Sequence, residues 1–303
     1  ISIFIILNLV IIFNALYYDL NAIVNSLSLL AVISVRLLPS VSLISSSFVS
    51  IRFSNYHLNK LYKFFSDINN LDSKERINKT KLKDKFKNLE IKNLRFGYNN
   101  NLIFKKINLY IKKNDFIGLI GSSGVGKSTL VKILCQILKP NNGSIFINDL
   151  NNDDIDFQAK ISLISQNHFL INGSIKENLT LSFDDKNIND EKLIDVLKEV
   201  NLYEEIISSG RTIHTQISND GSELSGGQKQ RLIIARSLYF DREFFIFDEA
   251  VSSLDEENTK SVINTLIKLK NKITLIFITH NVEKLSFCNK VYKLSNFKLT
   301  ETN

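Results

Sequence analysis

The chain has 303 residues, enough for two domains, and its two cysteines are too few for a disulfide framework, which excludes the small disulfide-rich secreted class. The formal net charge of +7 at pH 7 would suit a nucleic-acid partner. The charge is local, however, because ten Lys or Arg residues and only five Asp or Glu residues lie between Arg52 and Glu90, beside an apolar region, and we therefore expect no nucleic acid.

Two apolar tracts lie at the N-terminus. Residues 1–13 are almost wholly apolar, and residues 22–51 carry Arg36 as their only charge. A bilayer needs about 20 such residues per helix, so we expect the first tract to be the truncated end of a membrane span and the second to be a complete span. The alternatives are a signal peptide or a buried helix of a soluble protein. Since the chain starts with Ile1 and contains no methionine, we also expect a fragment that lacks an N-terminal part.

The residues that flank the second tract predict its orientation. Residues 17–21 form a short polar and aromatic connection of the kind found at a membrane interface. Arg52, Lys60 and Lys63 follow the tract, and this basic bias places that end in the cytoplasm.

Polar residues of the second tract share one predicted helix face. At about 100° per residue they fall within roughly 40° of Arg36: Asn25, Arg36, Ser40, Ser47 and Ser50. A charge that faced lipid at bilayer depth would cost several kcal/mol, so we expect this face to point into the bundle or a watery cavity. It is either a path for an anionic substrate or the site of a salt bridge to another helix.

A polar, lysine-rich stretch at residues 69–88 reads as a linker between residues 1–68 and a second domain, residues 89–303. Leu89, Ile91, Leu94 and Phe96 predict the first strand of that domain. Tyr98 is expected in the turn that follows, where it is either a turn aromatic or a platform for an adenine ring.

The strongest motif is a glycine-rich phosphate loop. Residues Gly121, Ser122, Ser123, Gly124, Val125, Gly126, Lys127, Ser128 and Thr129 fit G-x-x-x-x-G-K-[ST], after a predicted strand Phe116–Ile120 and before a predicted helix Lys127–Leu138. Backbone N–H groups and the positive helix end meet at one point, which suits a triphosphate. Lys127 is expected to bridge the β- and γ-phosphates, and Ser128 to offer its hydroxyl to Mg²⁺.

Further along the chain, Gln166 ends a predicted strand Ile161–Ser165. If this strand is parallel to the one before the phosphate loop, the amide opens on the nucleotide crevice and can ligate Mg²⁺ or the attacking water. A helix is predicted at Glu191–Val200 and a polar loop at Ser208–Asp220.

A second anion-binding surface is predicted at Ser225, Gly226, Gly227 and Gln228, just ahead of a helix Leu232–Leu238. A serine and two glycines at a helix start present backbone N–H groups to a phosphate. The chain thus has two phosphate-facing surfaces and one nucleotide-binding loop.

Carboxylates follow the apolar run Phe244–Phe247, which reads as a central parallel strand. Asp248 is placed to hold Mg²⁺, and Glu249 to take a proton from an attacking water. Asp255 opens the next helix. The last buried strand, Thr274–Ile278, delivers His280 at the same edge, within reach of a γ-phosphate.

Together these residues resemble the ATP-binding cassette (ABC) superfamily over Leu89 to the C-terminus. The resemblance implies an α/β P-loop NTPase domain preceded by the last helical spans of a permease. In its terms Glu249, His280 and Gln166 are catalytic, Tyr98 contacts the nucleotide, and Ser128, Gln166 and Asp248 hold Mg²⁺. It also implies a head-to-tail dimer in which Ser225–Gln228 and Asp255 close over the nucleotide of the partner.

The fused spans resemble an exporter, so the resemblance implies a half-transporter in a bacterial inner membrane. Its partners would be a second half-transporter, identical or different, membrane lipid and a substrate. Residues 36–40 resemble flippases of lipid-linked oligosaccharides. One departure is Asn219, which stands where exporters carry a coupling glutamate in Thr-x-Val-Gly-Glu-x-Gly. The rivals are a soluble ABC ATPase of nucleic-acid maintenance or translation, and the ATPase subunit of an importer.

Overall fold

The computed structural model describes residues 9, 12–13, 20–75, 80–82, 84–99, 101–167, 169–183 and 188–302. The chain divides into two compact units, residues 1–77 and 78–303, hereafter the N-terminal and C-terminal units. Most of the first apolar tract, most of the connection at residues 17–21, and Asn100 of the predicted turn lie outside the described residues.

The N-terminal unit is described mainly through one helix, α1 (Leu20–Glu75), which contains Pro39. Its stretch Leu27–Ser66 is long and apolar enough to cross a bilayer, by length and composition, and is the one such helix among the described residues. The helix continues seven residues into the predicted linker 69–88. This is a correction with a simple cause: residues 69–75 contain neither Pro nor Gly, the two residues that most disfavour a helix interior.

The C-terminal unit is built on a six-stranded, mostly parallel sheet. Its strands are β4 (Phe116–Ile120), β8 (Ile161–Ser165), β11 (Phe244–Asp248), β12 (Thr274–Ile278), β13 (Lys290–Ser295) and β14 (Lys298–Thr302), in the order β14-β13-β4-β12-β11-β8. Only the β13–β14 pair is antiparallel in this sheet. Strand β12 is wholly buried, and β4 and β11 nearly so, as their continuous apolar sequences require.

A second, antiparallel sheet has the order β3-β2-β5-β6. Its strands are β2 (Asn88–Tyr98), β3 (Asn101–Lys112), β5 (Asn142–Ile147) and β6 (Leu150–Asn151). Two short pairs complete the strands: β1 (Thr80–Lys81) with β7 (Ile155–Asp156), and β9 (Gly173–Ser174) with β10 (Gln216–Ile217). The helices are α2 (Lys127–Leu134), α3 (Ile175–Thr180), α4 (Asp190–Glu199), α5 (Tyr203–Ser208), α6 (Gly226–Tyr239) and α7 (Glu256–Lys268).

The C-terminal unit begins before the predicted Leu89. Strand β1 pairs with β7, and the side chain of Phe86 is fully buried. Its ring lies 5.6 Å from that of Phe157 and 5.2 Å from that of Phe244, between centroids. The prediction placed the start too late because residues 80–87 show no strand periodicity, and their order depends on contacts with distant residues.

Other parts of the predicted secondary structure also differ from the observed elements. Helix α2 ends at Leu134 rather than Leu138, because Gln136 adopts a positive φ of 57° and its side chain bonds to the backbone of Asn152, Ile155 and Phe157. Helix α6 starts at Gly226, six residues before Leu232. The predicted polar loop 208–220 contains β10, and Tyr98 is the last residue of β2, paired with Asn101, rather than a turn residue.

Candidate functional site

The phosphate loop needs glycine at two of its positions for steric reasons. Gly124 and Gly126 have φ values of 77° and 110°, in the left-handed region that L side chains rarely adopt. A Cβ at Gly126 would also lie 2.6 Å from Ile103 and 2.9 Å from the Phe104 ring. The loop can therefore turn from β4 into α2 only with these glycines, and it is packed directly against β3.

Lys127 lies at the centre of this loop. Its side chain is only 6% exposed, and its ammonium donates hydrogen bonds to the carbonyls of Gly121 at 2.7 Å and Ser122 at 3.0 Å. A buried ammonium beside a helix N-terminus and a row of loop N–H groups makes a site for an anion with several oxygens.

Parallel pairing brings the strand ends together at this loop. Strand β11 pairs with β8 and β12, so that Asp248 lies opposite Ser165 and Ile278, while β12 pairs with β4. The carboxyl ends of the strands and the phosphate loop enclose a cleft of about 450 Å³. It is lined by Ser123, Gly124, Gly126, Lys127, Ser128, Thr129, Ser165, Gln166, Asn167, Asp248 and Glu249.

Burial and neighbouring charges shift the pKa of acidic groups in and near the cleft. Burial, and then the charge of Glu249, raise the pKa of Asp248, while the charge of Lys127 opposes this. Two adjacent carboxylates with such an environment favour a cation. Near them the thiol of Cys135 is buried, and that burial, together with the Asp248 charge, raises its pKa to about 11, so the thiol stays protonated and is not a nucleophile.

Glu249 and His280 are in direct contact, with Nε2 of His280 lying 2.5 Å from Oε1 of Glu249. His280 itself does not line the cleft. His280 lies two residues after the end of β12. The backbone N–H of Glu249 donates to the carbonyl of Ile278, the last residue of that strand, at 3.1 Å. The structure thus brings these two predicted residues together through adjacent strands.

The predicted second anion-binding surface, Ser225–Gln228, lies outside the cleft lining. Ser225 is the N-cap of α6, its hydroxyl accepts from the N–H of Gln228, and the Gln228 side chain accepts from the N–H of Ser225. Gly226 packs against Leu254 so tightly that a Cβ there would lie 2.6 Å from its side chain. None of Ser225 to Gln228 lines the cleft, and neither does Asp255, which is the N-cap of α7.

Tyr98 also lies outside the residues that line the cleft. The residue is 44% exposed, and its ring packs edge-on against Phe96, with a centroid distance of 5.0 Å. Gly121, Ser122 and Val125 belong to the phosphate loop but are not in the lining either. In contrast, sequence reasoning missed Ser165 and Asn167, whose signal was only their adjacency to Gln166 at a strand end.

Asn219 lies in the loop between β10 and α6. Its N–H donates to the side chain of Asn172 at 2.7 Å, so this loop is tied to the segment that precedes β9. The neighbouring Asp220 is fixed by Ser218, whose hydroxyl bond is the first of several hydrogen bonds that lower the pKa of that carboxyl. A carboxylate therefore exists one residue beyond the position where the glutamate was expected.

The sequence of this chain is similar to a known family and to individual known proteins. The ABC transporter family profile matches residues 104–252. The ATP-dependent lipid A-core flippase of Francisella novicida is 31% identical over 218 residues, which are 71% of this chain and 37% of the flippase. The alpha-hemolysin translocation ATP-binding protein HlyB of Escherichia coli O157:H7 is 34% identical over 218 residues, 70% of this chain and 31% of HlyB.

A solved structure has the same fold. A bacterial Atm1-family ABC exporter with ATP bound superposes with a TM-score of 0.65 and 24% identity, over 74% of this chain and 40% of that one. This chain therefore spans less than two fifths of the length of the flippase and of HlyB, and about two fifths of the exporter chain.

Proposed function

The C-terminal unit of this chain belongs to the ABC transporter family and is an ATP-binding domain, and from that premise we propose that the chain hydrolyses ATP to drive export across a membrane. The observation that carries this proposal is the single cleft that unites the phosphate loop, Asp248 and Glu249. Hydrolysis requires two parts. One is a loop that binds the triphosphate, and the other is a carboxylate that accepts a proton from the attacking water.

The donor set of the cleft fits Mg²⁺. Ser128, Gln166 and Asp248 supply a hydroxyl, an amide and a carboxylate oxygen, which are the hard ligands that this ion prefers. Among the described residues no group of three or more His, Cys, Asp or Glu can hold a metal, so phosphate oxygens of the nucleotide would complete the coordination. Bound there, the ion would neutralise charge on the transferring phosphoryl group.

Glu249 is the proposed general base and His280 its neighbour at the γ-phosphate. The carboxylate lies at the edge of the cleft, where it can take the proton of an attacking water. The contact with His280 fixes the carboxylate on one side. Lys127 holds the β- and γ-phosphates against the helix end, which positions the phosphorus for in-line attack.

The separation of Ser225–Gln228 and Asp255 from the cleft of their own chain supports a head-to-tail dimer. In it, these residues would close over the nucleotide held by the Lys127 loop of a second, identical or related chain. Tyr98 would stack on the adenine ring.

Export is supported by the relatives and by α1. A flippase and a haemolysin translocator are similar to this chain, and Leu27–Ser66 suits a membrane span. We therefore propose a half-transporter in a bacterial inner membrane with the ATPase unit in the cytoplasm. Its substrate would be a lipid-linked oligosaccharide, a lipid or a peptide. The soluble alternative, a nucleic-acid ATPase, has no specific observation in its favour.

The direct test is ATP hydrolysis by the purified chain in detergent or lipid. We expect phosphate release that requires Mg²⁺ and is lost in Lys127→Ala, because that variant lacks the ammonium at the loop. Lys132→Ala, in the last turn of the same helix but outside the cleft lining, is the matched control and should retain activity. Hydrolysis that persists in Lys127→Ala would contradict the proposal.

A further inference from the structure

On one side, the end of β2 that carries Tyr98 is paired with no strand among the described residues. Strand β5 pairs with β2 only as far as Asn142, which lies opposite Arg95. The pairing of β2 with β3 on the other side is itself irregular, with a register shift between Phe96 and Gly97. The last residues of β2 would therefore present unpaired backbone groups along one edge.

Asn141 fills the place of the missing strand. Its backbone N–H donates to the carbonyl of Arg95 at 3.0 Å, and its side-chain Oδ1 accepts from the N–H of Gly97 at 2.7 Å. One asparagine thus continues the ladder of β5 by one step, first with its main chain and then with its side chain. No other bond from the side of β5 is made to Gly97 among the described residues.

The residue fixed in this way directly precedes Tyr98. The Tyr98 ring packs on Phe96, Phe96 pairs with Phe104, and the Phe104 ring would lie 2.9 Å from a Cβ at Gly126. The end of β2 that carries Tyr98 is thus paired with the part of β3 that packs against the phosphate loop. A displacement of the end of β2 would move the Tyr98 ring relative to that loop.

We propose that Asn141 is a positioning residue for nucleobase recognition, because its side chain holds Tyr98 at a fixed place relative to the phosphate loop. The inference rests on the proposed function, in which Tyr98 stacks on the adenine ring. It adds a residue that touches neither base nor phosphate, and it predicts a specific split: Asn141 governs affinity for the base and leaves affinity for the phosphates unchanged.

The test compares binding of two probes, ATP and inorganic tripolyphosphate, both with Mg²⁺, to the full chain by titration calorimetry. Since the hydrogen bond from Gly97 to the Asn141 side chain is lost, we expect Asn141→Ala to weaken ATP binding roughly two- to tenfold and leave tripolyphosphate binding unchanged. Asn141→Asp keeps the accepting oxygen and should restore ATP binding. Asn142→Ala, at the adjacent first position of β5, is the matched control and should resemble the wild type.

A double-mutant cycle separates positioning from general stability. In a Tyr98→Ala chain the platform is gone, so adding Asn141→Ala should have no further effect on ATP affinity. Additive losses would overturn the inference, as would equal weakening of ATP and tripolyphosphate, or unchanged ATP binding in Asn141→Ala. A wild-type chain that binds neither probe would overturn the proposed function and the inference with it, whereas the other three outcomes overturn the inference alone.

Discussion

Glu249 has a backbone conformation that side-chain-bearing residues seldom adopt. Its φ is 54°, its N–H donates to Ile278, and its carbonyl accepts from both the N–H and the hydroxyl of Ser252. A residue held in this region costs about 1 kcal/mol or more, and such residues persist where the surrounding bonds fix them. These backbone hydrogen bonds on both sides of Glu249 thus fix its carboxylate in the lining of the cleft.

We expect Glu249→Gln to leave nucleotide affinity within a few-fold of wild type and to lower hydrolysis by a factor of at least about 100. The amide keeps the shape of the side chain but cannot accept the proton of water. Steady-state phosphate release, measured beside nucleotide binding, checks this. Glu257→Gln, an exposed change at the start of α7, is the control. Hydrolysis by Glu249→Gln within a few-fold of wild type would exclude Glu249 as the base.

Individual residues that line the cleft could be predicted where a polar or acidic side chain directly follows a predicted strand of the sheet. The lining of the cleft includes Gln166, Asp248 and Glu249 because carboxyl ends of parallel strands meet at one edge, a rule that needs only the apolar runs before them. Asn167 was missed because its position depends on how the chain turns after β8. Asn141 was missed because its partner, Gly97, is 44 residues away in sequence.

At the scale of elements, strands were predicted better than helix ends. The residues of β8 and β12 agree with prediction. An apolar run defines β12, whereas β8 contains two serines among its apolar residues. Helix α2 is shorter than its apolar pattern indicates, because Gln136 forms bonds with a segment about 20 residues later in sequence. Such long-range bonds leave no local signal, and the same holds for residues 80–87.

The first residues of the C-terminal unit are expected to contribute to its stability. Phe86→Ala removes a fully buried ring from contact with Phe157 and Phe244, which typically costs about 3–5 kcal/mol. Denaturant unfolding of the full chain in detergent, followed by a probe of the C-terminal unit, measures this. The exposed Phe183→Ala is the matched control and should shift stability by less than about 0.5 kcal/mol. Equal stability of the two variants would show that Phe86 is not part of the core.

Helix α1 is continuous over all five positions of the predicted polar stripe, from Asn25 to Ser50. In a reconstituted assay of the proposed export activity, we expect Arg36→Ala to abolish transport and to lower substrate-stimulated more than basal hydrolysis, because its guanidinium suits an anionic substrate. Ser47→Ala, on the stripe, should weaken transport, whereas Ser42→Ala, roughly 120° away from Arg36 on the helix, should not. Unchanged transport in Arg36→Ala would remove the stripe from the substrate path.

For the whole molecule, the decisive feature is that the two predicted anion-binding surfaces lie apart from each other in one chain. The cleft contains the Lys127 loop, while Ser225 caps α6 outside that cleft. The sequence indicates a surplus of anion-binding surfaces, and the head-to-tail dimer that the family resemblance implies, which would unite them, is a proposal. It is testable because the two halves can be damaged independently.

We expect Ser225 to act on the nucleotide of the other chain. In a mixed dimer of Lys127→Ala and Ser225→Ala chains, both changes fall on one composite site and the second site stays intact, whereas either homodimer has two damaged sites. Phosphate release should therefore be higher in the mixed dimer, under conditions in which one intact site turns over.

Loss of the helix cap at Ser225 is a separate effect of Ser225→Ala, worth about 1 kcal/mol. Ser174→Ala controls for it, since Ser174 caps α3 through the same reciprocal bonds and should leave hydrolysis in its homodimer near wild type. A mixed dimer no more active than the homodimers would contradict the head-to-tail arrangement.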